Sequence, residues 1–252
     1  MKKEILSQLM GAGFVAVLAL ASPGAGRAAP AYIGAAVDNP ARPAADKARD
    51  DARKPAEMLE FARVRPGQTV VDFLPGSGYF TRLFSTAVGP KGHVYAFVPT
   101  EVASHVKVMP ANGATDPAMP NVTYLVGPVM SFSTPTPVDM VWTSQNYHDL
   151  HDPFMGPADM AKFNAAVFAS LKPGGLFVVE DHAAAAGSGV SATNTLHRID
   201  PAVVKREVMG AGFVFDGESK VLRNPADTHT LLVFDKTIRG HTDQFAYRFK
   251  KP

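Results

Sequence analysis

The sequence predicts a doubly wound α/β domain with a mostly parallel, seven-stranded sheet and a terminal antiparallel strand. Short apolar runs alternate with amphipathic segments along the chain, which is typical of a parallel sheet with helices on both faces. The run at residues 138–143 is largely apolar, as expected of a central parallel strand that is buried on both sides. The chain has 252 residues, of which 46% are hydrophobic, so it can form one sizeable core.

Turns rich in proline and glycine separate the predicted elements. Arg65-Pro66-Gly67-Gln68 precedes the first strand, and Gly89-Pro90 ends the helix that follows it. The predicted strands lie at residues 69–74, 92–98, 122–126, 138–143 and 176–180, with a closing antiparallel pair at 213–221 and 228–234. The predicted helices lie at residues 79–88, 157–171 and 201–209. Ligands of such sheets bind at the carboxyl ends of the strands, so we expect the site at that edge.

The first 28 residues have the pattern of a signal peptide. Lys2 and Lys3 give a positive start, residues 9–21 form an uncharged and largely apolar run, and small residues follow. This run is shorter than the roughly 20 residues of a bilayer-spanning helix. We therefore expect cleavage after Ala28 or Ala31, export to the periplasm, and no stable membrane insertion afterwards. A retained N-terminal anchor is the alternative interpretation.

The rest of the chain divides into three parts. Residues 29–63 comprise a flexible lead-in, rich in Ala, Pro and Gly, and an N-terminal helical cap that is one amphipathic helix or two helices divided at Pro55. Residues 64–236 form the main domain, and residues 237–252 are predicted to be a C-terminal tail.

Charge and cysteine content exclude several classes of function. The first 28 residues carry three of the 25 basic and one of the 23 acidic residues, so the remainder has 22 of each. A chain with no net charge has no basic field to attract nucleic acid, which we therefore do not expect as a partner. The chain contains no cysteine, which excludes disulfides, thiolate metal sites and a cysteine nucleophile.

The loop after the first predicted strand is the first candidate ligand site. It follows Asp72 and contains Pro75, Gly76 and Gly78 before the helix that starts at Tyr79. Glycines let the backbone approach a ligand closely, and the free N–H groups of a helix N-terminus favour polar or anionic groups.

This loop resembles the first motif of class I S-adenosylmethionine-dependent methyltransferases, acid-x-Gly-x-Gly-x-Gly. Asp72, Gly76 and Gly78 match that motif, while Leu74 stands at its first glycine. The segment Leu171-Lys172-Pro173-Gly174-Gly175 is similar to a later helix-turn-strand motif of the family. The loop, the N-terminus and Asn146-Tyr147-His148-Asp149 resemble a bacterial group of predicted exported methyltransferases. The resemblance implies a Rossmann-like fold for residues 64–236 and S-adenosyl-L-methionine as the cofactor.

The resemblance also implies a set of cofactor-binding residues, with two departures from the family pattern. The set comprises Asp72, Pro75, Gly76, Gly78, Tyr79, Thr81, Glu101 and Asn146. Val98 stands where the family places a carboxylate for the ribose hydroxyls, and Glu101 is the expected substitute. Gly127-Pro128-Val129 offers no acid for the adenine amino group. Each missing charge-assisted hydrogen bond forfeits roughly 1.5–3 kcal/mol.

A polar segment follows the fourth long strand and contains the candidate catalytic residues. His148 is the predicted base, Asp149 orients it or acts itself, and Tyr147 lines the methyl-transfer site. A metal site is a second interpretation, since two His and two Asp lie within five residues, His148, Asp149, His151 and Asp152, and Asp181 or His182 could supply a further ligand. Spacing alone does not make these groups converge, so the sequence assigns no metal ligand. A solvated, helix-capping segment is the third interpretation.

The predicted function is that of an S-adenosylmethionine-dependent methyltransferase acting on an unidentified small molecule. The alternative is an exported module that binds a small ligand with a degenerate methyltransferase fold. A metal-assisted hydrolase using His148, His151 and Asp152 is a weaker third hypothesis. Arg198 is predicted to form a surface ion pair, with binding of an anionic substrate as the alternative.

Overall fold

A computed structural model describes residues 29–105 and 109–252; the predicted signal peptide at 1–28 lies outside them. Within the described residues one eight-stranded sheet has the order β3-β4-β2-β1-β5-β6-β8-β7. Its strands are β1 (Thr69–Phe73), β2 (His93–Pro99), β3 (Thr115–Asp116), β4 (Met119–Gly127), β5 (Val138–Ser144), β6 (Leu171–His182), β7 (Val214–Ser219) and β8 (Gln244–Lys250). The helices are α1 (Ala31–Val37), α2 (Ala44–Lys47), α3 (Asp50–Arg53), α4 (Pro55–Phe61), α5 (Tyr79–Val88), α6 (Met160–Ser170), α7 (Thr193–Leu196) and α8 (Pro201–Gly210).

The five central strands are parallel, and β1 lies in the middle of them. Phe73 of β1 pairs with Phe97 of β2 on one side and with Thr143 of β5 on the other. The strands β4 and β6 extend the parallel sheet outward, while β3, β8 and β7 run antiparallel to their neighbours. The doubly wound α/β fold is therefore confirmed, with the short β3 as an additional strand.

Alternating side chains of β1 enter two separate cores, one on each face of the sheet. Val71 and Phe73 belong to the core under α6 and α8, whereas Val70 belongs to the core under α1, α4 and α5. This alternation follows from the two-residue period of a strand. Trp142 is fully buried in the second core, where its ring lies 4.6 Å from that of Phe80. Helices thus cover both faces and leave the strand ends as the accessible edges.

The N-terminal part is more ordered than the composition predicts. Residues 29–44 contain α1, whose Ile33 and Ala36 are buried, so a flexible lead-in is the wrong description of this segment. Of the two alternatives for the cap, the structure has the division at Pro55, since Lys54 adopts a left-handed φ of 44° between α3 and α4. Proline at the first position of α4 restricts the preceding residue and so separates the two helices.

The predicted last strand is also misplaced. Residues 228–234 are irregular, and the antiparallel strand beside β6 is β8, within the segment predicted to be a tail. Phe245, Tyr247 and Phe249 of β8 alternate toward one core, which is the two-residue pattern of a strand. No helix among the described residues is long and apolar enough to cross a bilayer.

Candidate functional site at the carboxyl edge of the sheet

The loop between β1 and α5 keeps a left-handed backbone at the position where its motif lacks a glycine. Leu74 has a φ of 57°, next to Gly76 at 54° and Gly78 at 79°. A left-handed residue other than glycine costs roughly 1–2 kcal/mol. Two hydrogen bonds hold Leu74 there: its N–H donates to the Phe97 carbonyl at 3.0 Å, and its carbonyl accepts from Asn146 Nδ2 at 3.0 Å. Tertiary contacts thus replace the conformational freedom of a glycine.

Asp72 lies one residue before the end of β1, just below this loop, and is almost fully buried. The hydroxyl of Thr81, on the first turn of α5, donates to Asp72 Oδ2 at 2.6 Å. Burial raises the pKa of Asp72 to about 7, although the Thr81 hydrogen bond and the nearby charge of Arg53 act in the opposite direction. The structure therefore pairs two predicted cofactor-binding residues with each other, at the expected edge.

A second buried acid, Glu180, lies at the same edge near the end of β6. Ser144 donates a hydrogen bond to Glu180 Oε2, while Oε1 has no partner among the described residues. Burial raises the pKa of Glu180 to about 7, and the charge of Arg53 lowers it. Because strands β1, β5 and β6 are adjacent, Asp72, Ser144 and Glu180 line one polar cradle.

Arg53, the last residue of α3, lies over this cradle. Its Nη2 donates to Ser144 Oγ at 3.2 Å, and its guanidinium carbon is 5.2 Å from the centre of the Phe80 ring. Arg53 keeps partial solvent exposure, yet burial of the guanidinium lowers its pKa. The charge of Arg53 is close enough to Asp72 and Glu180 to act on the pKa of both. The N-terminal cap thus supplies a cation to the strand edge.

Tyr79 fastens the cap to the main domain. Its hydroxyl donates to Asp50 Oδ1 at 2.7 Å, and the guanidinium carbons of Arg49 and Arg53 each lie 4.9 Å from its ring centre. Arg42 pairs with Asp50 from the other side, with Nη1 2.9 Å from Oδ2. The ring of Tyr79 is buried under these groups, and its contact with a ligand stays a prediction.

The ends of β2 and β4 form a different, less charged part of the edge. A cavity of about 420 Å³ opens there, lined by Phe97, Asn112, Leu125, Val126, Gly127, Pro128, Ser131, Ser133, Thr134 and Pro135. Glu101 accepts a hydrogen bond from the Val129 N–H at 2.9 Å and so ties the loop after β2 to the loop after β4. Another cavity of about 340 Å³ lies beside Gln68 and Lys172 at the opposite edge, away from the strand ends that bind ligands.

His148 is the centre of a third polar group, after β5. Its Nδ1 lies 2.8 Å from Asp181 Oδ1, and its Nε2 lies 3.1 Å from Asp149 Oδ1 and 3.2 Å from His197 Nδ1. Burial lowers the pKa of His148, but the two carboxylates outweigh it and raise the pKa to about 10. Hydrogen bonds from His148 and His197 lower the pKa of Asp149 to about 2 despite its burial.

Other residues of the predicted catalytic segment have partners elsewhere. The Tyr147 hydroxyl donates to Glu207 Oε2 at 3.0 Å and accepts from Asn164 Nδ2 at 2.8 Å, so it contacts α8 and α6 instead of the group around His148. His151 Nε2 lies 3.3 Å from Glu207 Oε2. These contacts keep Tyr147 and His151 apart from the strand edge. The two residues lie near each other, with the centres of their rings 6.2 Å apart.

The remaining residues of the predicted metal set, His182 and Asp152, have different surroundings. His182 Nδ1 lies 2.8 Å from the Thr242 hydroxyl, and burial lowers the pKa of His182 to about 3. Asp152 is 1% exposed, and neither carboxylate oxygen has a hydrogen-bond partner within the described part of the chain. Burial raises the pKa of Asp152, although the nearby Thr193 hydroxyl acts in the opposite direction.

The edge thus brings together predicted site residues and residues that the sequence did not assign to the site. Asp72, Thr81, Asn146, His148 and Asp149 lie at the predicted edge. Arg53, Glu180 and His197 are the additional members: the sequence shows Glu180 as an acid ending a strand and Arg53 as a cation of the cap, whereas nothing local connects His197 to this edge. Arg198 is neither exposed nor in the cleft, since it is fully buried and pairs with Asp227 at 2.8 Å.

The fold is similar to those of solved S-adenosylmethionine-dependent methyltransferases. One from Aquifex aeolicus is 17% identical with a TM-score of 0.54, over 81% of this chain and 93% of that one. An arsenic(III) S-adenosylmethionine methyltransferase from Chlamydomonas reinhardtii is 15% identical with a TM-score of 0.51, over 89% and 74%. The N-methyltransferase NodS from Bradyrhizobium japonicum WM9 is 14% identical with a TM-score of 0.50, over 85% and 98%. No protein-family model and no curated protein sequence matches the chain. At identities this low, the structural similarity establishes a shared fold and nothing more specific.

Proposed function

We propose that this protein is an S-adenosylmethionine-dependent methyltransferase acting on a small molecule. The observation that carries the proposal is the superposition of 81% of the chain on 93% of a solved methyltransferase of that dependence. The loop between β1 and α5 supports it, since Leu74, Gly76 and Gly78 keep left-handed backbones at the ligand-binding edge.

The side chains of the strand edge fit the charges of the cofactor. S-adenosylmethionine carries a carboxylate, an ammonium and a sulfonium, and the sulfonium supplies the transferable methyl group. The unpartnered Oε1 of Glu180 and the buried Asp72 suit its cationic groups, and Arg53 suits its carboxylate. The cavity beside Val126 and Pro128 is lined by uncharged residues, and it suits the adenine ring without an acid.

The acceptor would lie beside the group around His148, because these residues follow β5, the neighbour of β1. Asp181 accepts from the His148 backbone N–H at 2.8 Å as well as contacting its ring, and so fixes the orientation of both. In this proposal the chain contributes mainly by orienting the acceptor toward the methyl group.

Binding of S-adenosylmethionine and S-adenosylhomocysteine by isothermal titration calorimetry tests the proposal. We expect one saturable site, and at least tenfold weaker binding in Gly76→Ala, whose added methyl group faces the ligand. Gly67→Ala is the matched control: it has a φ of 82° and the same open space around the added Cβ, but it precedes β1. Absence of binding at about 1 mM ligand, a free energy near −4 kcal/mol, would refute the proposal.

A binding module without methyl transfer is favoured by one observation, the apolar Val98 at the end of β2. Transfer of a labelled methyl group from S-adenosylmethionine to a mixture of small amines, thiols and phenols separates the two functions. Saturable binding with no labelled product in any fraction favours the binding module.

We also propose that the protein is exported, on the basis of the pattern in residues 1–28. Fractionation of cells expressing the full chain tests this, with N-terminal sequencing of the purified protein. We expect periplasmic protein that starts at residue 29 or 32. Protein that keeps Met1 and stays in the cytoplasm would contradict export and leave the methyltransferase proposal unaffected.

A further inference from the structure

Three donor atoms of different residues meet beside the end of β5. They are His148 Nε2, Asp149 Oδ1 and His197 Nδ1, and all three lie within 4.8 Å of one another. His197 comes from the segment after α7, 49 residues beyond His148, so only the tertiary structure brings them together. We infer that these three residues bind a divalent cation of the zinc type, a site beyond the proposed methyltransferase function.

The spacing of the donors fits a tetrahedral metal. The edges of the triangle are 3.1 Å from His148 to Asp149, 3.2 Å from His148 to His197, and 3.7 Å from His197 to Asp149. Zinc takes nitrogen and oxygen donors at roughly 2.0–2.1 Å, which places tetrahedral ligands about 3.3 Å apart. A cation at the centre therefore contacts all three atoms with little rearrangement.

The orientation of His148 is the one that metal-binding histidines require. Its Nδ1 lies 2.8 Å from Asp181 Oδ1, and Asp181 is fully buried. A carboxylate that accepts from one ring nitrogen leaves the other nitrogen with its lone pair toward the metal. Asp181 also accepts from the backbone N–H groups of His148 and His182, so its position is firmly set.

Asp152 provides a second, independent observation. It is 1% exposed, and neither of its carboxylate oxygens has a hydrogen-bond partner among residues 29–105 and 109–252. Its backbone N–H donates to the Asp149 carbonyl at 2.9 Å, so it follows Asp149 within one turn. A buried carboxylate without partners is costly, and the charges of His148, Asp149 and His197 act on Asp152, so a cation held by those three residues would lessen that cost.

Hydrogen bonds among His148, Asp149 and His197 satisfy these three residues less completely than a bound cation would. His148 Nε2 carries at most one proton, yet it faces both a carboxylate oxygen and a second imidazole nitrogen. Two histidines and one carboxylate are a common donor set for zinc and related divalent metals, with the fourth position left open. Asp149 and His197 have side-chain exposures of 16% and 29%, so a cation can enter from solvent.

Cobalt(II) binding tests the inference without any methyl donor, so its failure is distinguishable from failure of the proposed function. We expect one equivalent of Co²⁺ with the strong visible absorption of a tetrahedral site, displaced by Zn²⁺. Equilibrium dialysis of the purified protein against each metal alone gives the stoichiometry and the affinity.

Substitutions locate the ion and control for folding. His197→Ala should weaken Zn²⁺ binding at least 100-fold, and Asp181→Asn about 10–100-fold through its effect on His148. His241→Ala, at an exposed histidine far along the chain, is the matched control and should leave binding unchanged. Because His197 is partly exposed, its variant should keep the wild-type circular dichroism spectrum, and Asp149→Asn serves as a second variant. Failure to bind a stoichiometric metal, or equal binding by wild type and His197→Ala, would overturn the inference.

Discussion

Arg198 and Arg53 both lie near buried acids, and they differ in how completely their hydrogen-bond donors are satisfied. Arg198 is 0% exposed; its guanidinium donates to both oxygens of Asp227, at 2.8 and 3.2 Å, and to the carbonyls of Ala183 and Leu231. Arg53 is partly exposed and donates one hydrogen bond, to Ser144, within the described residues. Both arginines lie near buried carboxylates, but only Arg198 forms a closed pair, in which the guanidinium bonds both oxygens of its acid.

The difference separates a structural ion pair from a ligand site. Asp227 also accepts from the backbone N–H groups of Asp243 and His229, so Arg198 holds the long β7–β8 connection onto the main domain. Around Arg53, by contrast, Glu180 Oε1 has no partner in the described part of the chain. Buried polar groups are normally paired, so unpaired ones indicate a place for a ligand.

The largest expected effect comes from breaking the closed pair. Arg198→Met should destabilise the protein by about 3–5 kcal/mol, because it leaves Asp227 buried without its cation. Urea denaturation measures this loss. The isosteric Asp227→Asn keeps the shape of the pair and should cost less. A loss below about 1 kcal/mol in both variants would mean that the pair does not hold the β7–β8 connection.

A smaller effect, dependent on pH, is expected from Arg53→Met. It should cost about 2 kcal/mol at pH 8, where Asp72 and Glu180 are ionised, and little at pH 5. Both acids have a pKa raised to about 7 by burial, so both are protonated in the folded state at pH 5 and need no cation. Lys54→Met, at the neighbouring exposed cation, should change stability by no more than about 0.5 kcal/mol at either pH. Equal losses at the two pH values would contradict this account of Arg53.

The smallest expected effect is a gain in stability. The pKa of Glu180 is raised to about 7 in the folded protein. The contribution of Glu180 to the free energy of unfolding is therefore fully present below the pKa it has in the unfolded chain, and it is lost as pH rises through 7. The free energy of unfolding of Glu180→Gln should therefore be about 1 kcal/mol higher than that of wild type at pH 8, and equal to it at pH 4. Chemical denaturation at the two pH values checks this, with Glu60→Gln as an exposed control. A loss of stability at pH 8 would show that the carboxylate of Glu180 stabilises the fold.

The prediction of the fold succeeded where the signal was local. The strands β1 and β5, which end at Phe73 and Ser144, are short apolar runs bounded by turns, and their positions are confirmed. The prediction failed at residues 228–234, where an apolar run is irregular because Asp227 pairs with Arg198 and the Leu231 carbonyl accepts a hydrogen bond from the same arginine. A long-range contact thus overrode a local preference.

The sequence by itself determined the doubly wound fold, the edge that carries the site, and the left-handed loop with Gly76 and Gly78, because hydrophobic period and turn residues act over a few positions. Only the tertiary structure decided that Arg53 lies over Asp72 and Glu180, and that His197 joins His148 and Asp149. Those contacts join residues far apart in the chain, and packing of the cap and of the segment after α7 brings them to one edge. Hydrogen bonds with Phe97 and Asn146 likewise let Leu74 keep the conformation of an absent glycine.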